Sequence, residues 1–260
     1  MQGEEGLFAA LPIWGVFLVT MVLVLFSVEG GYRWARYKQQ RAAQEKEAPV
    51  GAMVGATLGL LAFLLAFTFG MAADHFHARK VALVDEANAI RTTYLLAGVI
   101  PEPYRTEVRT VLPAYVDERL RWAGVEKVKE SRSAKALLDH LWAQAAVVGA
   151  QNPGGVDVFL GAVTRVIELR QERVMVRERS RIPGPMWAVL YLVAILALAA
   201  MGYHGGVAGT ARSPVMLAVA IAFSALIMLI ADLDRPGQGF INVNQQAMID
   251  LRNALTEAKP

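Results

Sequence analysis

Three short polar clusters carry the side chains with the most chemistry to offer. The first is Asp74-His-Phe-His77, followed by Arg79 and Lys80. On a helix His75 and His77 fall on different faces, which argues against a shared metal ion, whereas Asp74 and His77, three apart, can meet as a solvated pair. The second is Glu86-Ala-Asn88, set among Val84, Ala89 and Ile90. Glu86 and Asn88 fit either polar residues paired between helices or a surface position. The third, Asp232-Leu-Asp234-Arg235, precedes Pro236-Gly-Gln-Gly239. Asp232 and Arg235 are spaced to pair, and two carboxylates at a membrane mouth would attract cations or hold a divalent ion. A plain helix end after an apolar run explains the same residues, since Pro236 and the glycines stop the helix.

None of these clusters makes a catalytic set. The 260 residues contain no Cys, which removes thiol nucleophiles, thiolate metal sites and disulfides. No HExxH, GxSxG or phosphate-loop motif occurs, and no cofactor is expected. The chain therefore reads as a protein other than an enzyme. A net charge of +3 hints at nucleic acid, but basic residues in such a chain chiefly set orientation and meet lipid headgroups, so no nucleic acid is expected.

The elements that must position these residues are apolar. Leu7–Val28, Val50–Ala73, Met186–Tyr203 and Val215–Ala231 are uncharged throughout. A bilayer core about 30 Å thick needs about 20 such residues in a helix. The expectation is an all-α integral membrane protein of four transmembrane helices, multi-pass in the cell (inner) membrane, with lipid as its surroundings. The first run has no basic residue before it and no signal-peptide exit, so it reads as a retained helix. Residues 74–182 hold 17 of the 26 basic and 14 of the 23 acidic residues. They read as a helical water-facing domain inserted between the second and third spans. The division is then 1–73, an N-terminal hairpin; 74–182, the inserted domain; 183–231, a C-terminal hairpin; and 232–260, a C-terminal segment.

Within the inserted domain the apolar residues recur at helical spacing. Val156, Phe159, Leu160, Val163, Val166 and Ile167 form one stripe, ended by Ile182-Pro-Gly-Pro185. Helices are also expected over Pro103–Ala123 and Ser133–Val148, with a loop at Gln151–Gly155. No breaker follows span two before Ile100, which predicts one helix of nearly 50 residues. Loops are expected over 30–49 and 204–214. Arg33, Arg36, Lys38, Arg41 and Lys46 would place the 30–49 loop in the cytoplasm and the domain outside it.

Span two has a row of small residues, Gly51, Gly55 and Gly59. In lipid such a row lets backbones approach closely, against another span of the same chain or against another copy around an axis. Leu60, Phe63 and Phe67 lie on a different face. Rings of such residues can gate a pore by dewetting, although a Phe pair alone also suits a lipid-facing or core position.

The stretches Leu58-Gly-Leu-Leu-Ala-Phe-Leu-Leu-Ala-Phe67 and Ala72-Ala-Asp-His-Phe-His-Ala-Arg-Lys80 resemble the bestrophin-like family of bacterial membrane proteins, similar to bestrophin channels. Asp234-Arg-Pro-Gly237, Asn242-Val-Asn244 and the amphipathic Ala247–Leu255 match a second family segment. The resemblance implies an ion channel that is a homo-oligomer, pentameric in bestrophins, passing inorganic ions. Its pore would be lined by span two, with a neck near Leu60, Phe63 and Phe67 and the domain in the cytosol. Two departures stand out: Thr68-Phe-Gly-Met-Ala72 is nearly apolar where bestrophins turn polar, and the acidic cluster of animal bestrophins is reduced to Asp232 and Asp234. The other reading is a non-conducting membrane scaffold or sensor whose helical domain binds a partner.

Overall fold

The computed structural model describes residues 11–41, 47–121, 132–151, 156–179, 181–209, 214–237 and 239–257. All its elements are helical: α1 (Ile13–Arg41), α2 (Glu47–Leu96), a 3₁₀ turn (Ala97–Val99), α3 (Tyr104–Arg121), α4 (Arg132–Gln151), α5 (Asp157–Arg179), α6 (Gly184–Val207), α7 (Pro214–Asp234) and α8 (Gln246–Glu257). Four of them, α1, α2, α6 and α7, are long and apolar enough to cross a membrane. The chain is an all-helical membrane protein. It divides into two compact units, the first of residues 1–74 and 181–240, the second of 75–180 and 241–260.

Helix α2 is 50 residues long because nothing interrupts it: Pro49 lies in its first turn, where a missing N–H costs no bond. The expected loop over 30–49 needs correction, since α1 continues to Arg41 and carries Arg33, Arg36 and Lys38 on its last turns. Likewise α6 continues to Val207, so Gly205 and Gly206 belong to a helix and not to a hairpin loop. The expected start of the first span at Leu7, the end of the Pro103–Ala123 helix and most of the Gln151–Gly155 loop lie outside the described residues.

In the first unit α1 packs along α6 and α7. Thr20 and Tyr191 share a 2.7 Å hydroxyl–hydroxyl bond, and Gln39 Nε2 donates to the Val207 carbonyl at 2.9 Å. The α1–α6 contact is backbone against backbone. A Cβ on Gly31 would stand 1.9 Å from the Ala199 carbonyl oxygen, and one on Gly202 would stand 2.0 Å from that of Val28. Large apolar residues such as Leu18, Phe26, Leu192, Leu196 and Leu217 face outward in this unit. Water would penalise that arrangement and hydrocarbon does not.

The second unit obeys the opposite rule. Ile90, Leu112, Tyr115, Leu141, Phe159 and Met248 are fully buried in one core. Removing such a side chain from water contributes roughly 1.5–3 kcal/mol. Helix α3 packs on α4 and α8, and α4 packs on α5. Helix α8 turns Met248, Leu251 and Leu255 inward, as its apolar spacing dictates.

Candidate functional site

The apolar stretch of α2 is the least buried of the four candidate spans, with 17% of its residues buried against 33%, 33% and 44% in the others. Val54, Leu61, Leu65 and Thr68 turn inward. Met53, Ala56, Leu60, Phe63 and Phe67 turn outward, with Leu60, Phe63 and Phe67 52%, 67% and 54% exposed. These outward positions alternate three and four residues apart. The part of α2 in the second unit exposes His77, Val81, Val84, Asn88, Arg91 and Leu95 at the same spacing. A 3.5-residue repeat is the period that keeps one helix face turned toward a partner helix.

The small-residue row divides in two. A Cβ on Gly51 would meet His204 Nε2 at 3.0 Å, so this glycine is spoken for within the chain. Gly55 and Gly59 have no atom within 4 Å of an added Cβ. Ala62 and Ala66 continue the exposed row beside the Phe63 and Phe67 row.

Asp74 and His77 are both exposed, and His75 is half-buried on another side of α2. Glu86 is fully buried in the second unit. Its Oε1 accepts from the Tyr115 hydroxyl at 2.7 Å, and its Oε2 accepts from Arg119 Nε at 3.4 Å. Arg173 Nε stands 2.8 Å from the same Oε2 as an ion pair, off the hydrogen-bond line. Burial, reinforced by the Glu86 charge, holds the Tyr115 phenol well above its ordinary value, so it stays protonated as a donor. Burial and the neighbouring Arg173 charge lower the Arg119 guanidinium from its usual range, while Glu86 pulls it back. Helices α2, α3 and α5 are thus joined through one carboxylate. Asn88 is exposed and takes no part in this cluster, because two residues along a helix reverse the direction of the side chain.

Asp232, Asp234 and Arg235 are buried at the end of α7. Asp232 Oδ1 accepts from the Phe240 N–H at 3.0 Å, and Asp234 Oδ1 accepts from the Ile182 N–H at 2.9 Å. Arg235 Nη1 donates to the Leu11 carbonyl at 2.6 Å. Gly239 is required here, since its Cβ would fall 1.3 Å from Asp232 Oδ1. The three side chains fasten the segments that enter and leave the apolar helices. Among the described residues no group of three or more His, Asp or Glu side chains gathers where it would hold a metal.

The sequence reading missed the Gly31, Gly202 and Gly206 contact, although Gly202-x-x-x-Gly206 spells the spacing at which helices approach closely in membranes.

Comparison with known proteins agrees with this architecture. Among solved structures the chain is similar to variants of a bacterial bestrophin homolog from Klebsiella pneumoniae. The variant with a tyrosine changed to alanine is 14% identical, with 93% of this chain and 97% of that one covered at a TM-score of 0.64. One with a leucine changed to threonine is 15% identical, covering 94% and 98% at 0.64. One with a tryptophan changed to alanine is 14% identical, covering 98% of both chains at 0.64. Identity that low speaks for the fold alone. No curated protein matches the chain by sequence. A family model, the bestrophin-like domain, matches residues 16–248, and the chain accordingly belongs to the bestrophin-like family.

Proposed function

We propose that this chain forms a homo-oligomeric ion channel, a pentamer as bestrophins are, with the apolar half of α2 lining an axial pore. The observation that carries the reading is the outward row Leu60, Phe63 and Phe67 on the least buried of the four candidate spans. Copies arranged about an axis would bring these rows together as a hydrophobic neck, which excludes water and gates ions by dewetting. The exposed Gly55 and Gly59 lie beside that row and would let a neighbouring α2 approach closely. Residues 1–73 and 183–231 then form the hairpins in a cell membrane, inner in a bacterium. Residues 74–182 form the water-facing domain, 232–260 the C-terminal segment, and the permeant species are inorganic ions.

The test is conductance of the purified protein in planar bilayers. Phe63→Ala combined with Phe67→Ala is expected to raise conductance severalfold, because a wider and wetter neck lowers the dewetting barrier. Wild-type flux in the double variant would remove both residues from the role. A single variant tests assembly. Gly55→Leu puts a branched side chain where no atom of its own chain stands, and is expected to shift the detergent-solubilised mass from oligomer toward monomer. An unchanged mass would place the interface elsewhere.

The second reading, a non-conducting scaffold or sensor whose helical domain binds a partner, draws support from one observation: the outward face of α2 carries no charged residue from Val50 to Ala73. A protein that keeps its oligomeric mass and passes no current under any ion gradient would favour it.

A further inference from the structure

Two arginines converge on the C-terminal end of α2. Arg91 is exposed and, among the described residues, makes no hydrogen bond or ion pair. One turn on lies Tyr94, and the Arg109 guanidinium of α3 rests over its ring, with Cζ 5.3 Å from the centroid. The same guanidinium reaches on to Gly98 in the 3₁₀ turn, where an added Cβ would stand 3.5 Å from Arg109 Nη2. Residues three apart on a helix are neighbours on its surface, so Arg109 lies along the side of the helix that Arg91 begins. Two guanidinium groups thus share one strip of the second unit.

Glu102, the acid beside Arg105 and Arg109, is already engaged. Its Oε2 accepts from the Thr106 N–H at 3.2 Å and from the Thr106 hydroxyl at 2.8 Å, and its Oε1 stands 3.7 Å from Arg105 Nε. Arg105 Nε in turn donates to the Ile100 carbonyl at 3.2 Å. The Thr106 bonds first, and then the Arg105 and Arg109 charges, hold the Glu102 carboxyl below its usual range against a small desolvation. Arg109 is fixed differently. Its Nε is closed off from solvent without an acceptor, and its Nη groups, which are not buried, bond to no described residue. Stacking on Tyr94 holds this side chain, and the outer edge of its fork is left open.

We propose that Arg91 and Arg109 bind a polyvalent oxyanion of the diphosphate class, one to each chain. A guanidinium presents its N–H groups as a flat fork that fits phosphate oxygens two at a time, and a diphosphate offers a phosphate to each fork. An arginine stacked on a ring is pre-set for this, since its side chain is ordered before the ligand arrives. Glu102 is the competitor of the site, because its charge lies near Arg109 and opposes an incoming anion. All these residues belong to one chain and one compact unit, so the site requires neither a pore nor an oligomer.

The experiment titrates inorganic pyrophosphate into the purified full chain in a non-ionic detergent by isothermal calorimetry, at fixed ionic strength and with sulfate as the comparison anion. Wild type is expected to bind one pyrophosphate per chain and to bind sulfate more weakly. Arg91→Gln removes an exposed cation with no partner to lose, so it keeps the fold and is expected to weaken binding about 10-fold or more. Arg109→Lys keeps the charge and loses the fork, and a comparable loss is expected. Glu102→Gln moves the other way, tightening binding severalfold by removing the opposing charge. Arg165→Gln, which removes an exposed cation from α5, serves as the control. Thermal unfolding is followed with and without pyrophosphate, and the transition should rise wherever the anion binds. No binding by wild type, sulfate held as tightly as pyrophosphate, wild-type affinity in Arg91→Gln or Arg109→Lys, or an equal loss in the control would each overturn the proposal.

Discussion

Glu86→Ala is expected to be among the most destabilising single changes in the chain, by about 3–5 kcal/mol, because it strands two guanidinium groups in an interior that cannot solvate them. Glu86 is fully buried, and the Arg119 and Arg173 side chains retain only 8% and 12% exposure. Neither can be fully solvated without opening the packing of α2, α3 and α5. For a unit of this size the loss corresponds to a fall of roughly 6–20 °C in the thermal transition, read by circular dichroism in detergent. Glu86→Gln keeps the shape and loses most of the same stability, since the cost lies in the uncompensated charges. Tyr115→Phe removes one bond to the carboxylate and leaves both ion pairs, so a smaller loss of about 1.5–3 kcal/mol is expected. A Glu86→Ala protein that melts within two or three degrees of wild type would show that water already reaches the cluster.

The second large effect lies in the apolar unit, where adjacent glycines should behave in opposite ways. Gly31→Ala and Gly202→Ala each place a methyl carbon about 2 Å from a carbonyl oxygen of the facing helix. Backbone cannot rotate aside as a side chain can, so α1 and α6 must separate. In lipid, dispersion between closely packed helices is much of what holds them, and separation forfeits it. A loss at or above the roughly 1–3 kcal/mol typical of overpacking is expected. Gly30→Ala, one residue from Gly31, meets nothing within 4 Å. It should be neutral or stabilising by about 0.5–1 kcal/mol, the helix preference of Ala over Gly. Parallel unfolding curves for Gly30→Ala and Gly31→Ala would count against the close α1–α6 contact.

The sequence by itself determined the four apolar helices, the uninterrupted length of α2 and the inward stripe of α5. Each follows from rules that act within one segment: apolar residues needed per bilayer thickness, the absence of a breaker, and the helical period of burial. It also carried enough short motifs to point to the family. What it left open were matters of partnership. Glu86 and Asn88 were equivalent as polar residues on an apolar helix, and only the positions of Tyr115, Arg119 and Arg173 decided that one is buried and the other faces out. The glycines near residues 30 and 205 suggested loops, because glycine serves equally where a chain must turn and where two backbones must touch. A one-dimensional pattern cannot separate those uses; Ala199, lying opposite Gly31, and Tyr32 and Ala35, lying opposite Gly206, decided for contact. Asp232 and Asp234 looked available to a cation until Phe240 and Ile182, which reach them from elsewhere in the chain, supplied N–H donors. The tertiary structure decided these cases because the energy of a buried charge, a missing Cβ or a carboxylate depends on what faces it across space, and that neighbour is rarely its neighbour in sequence.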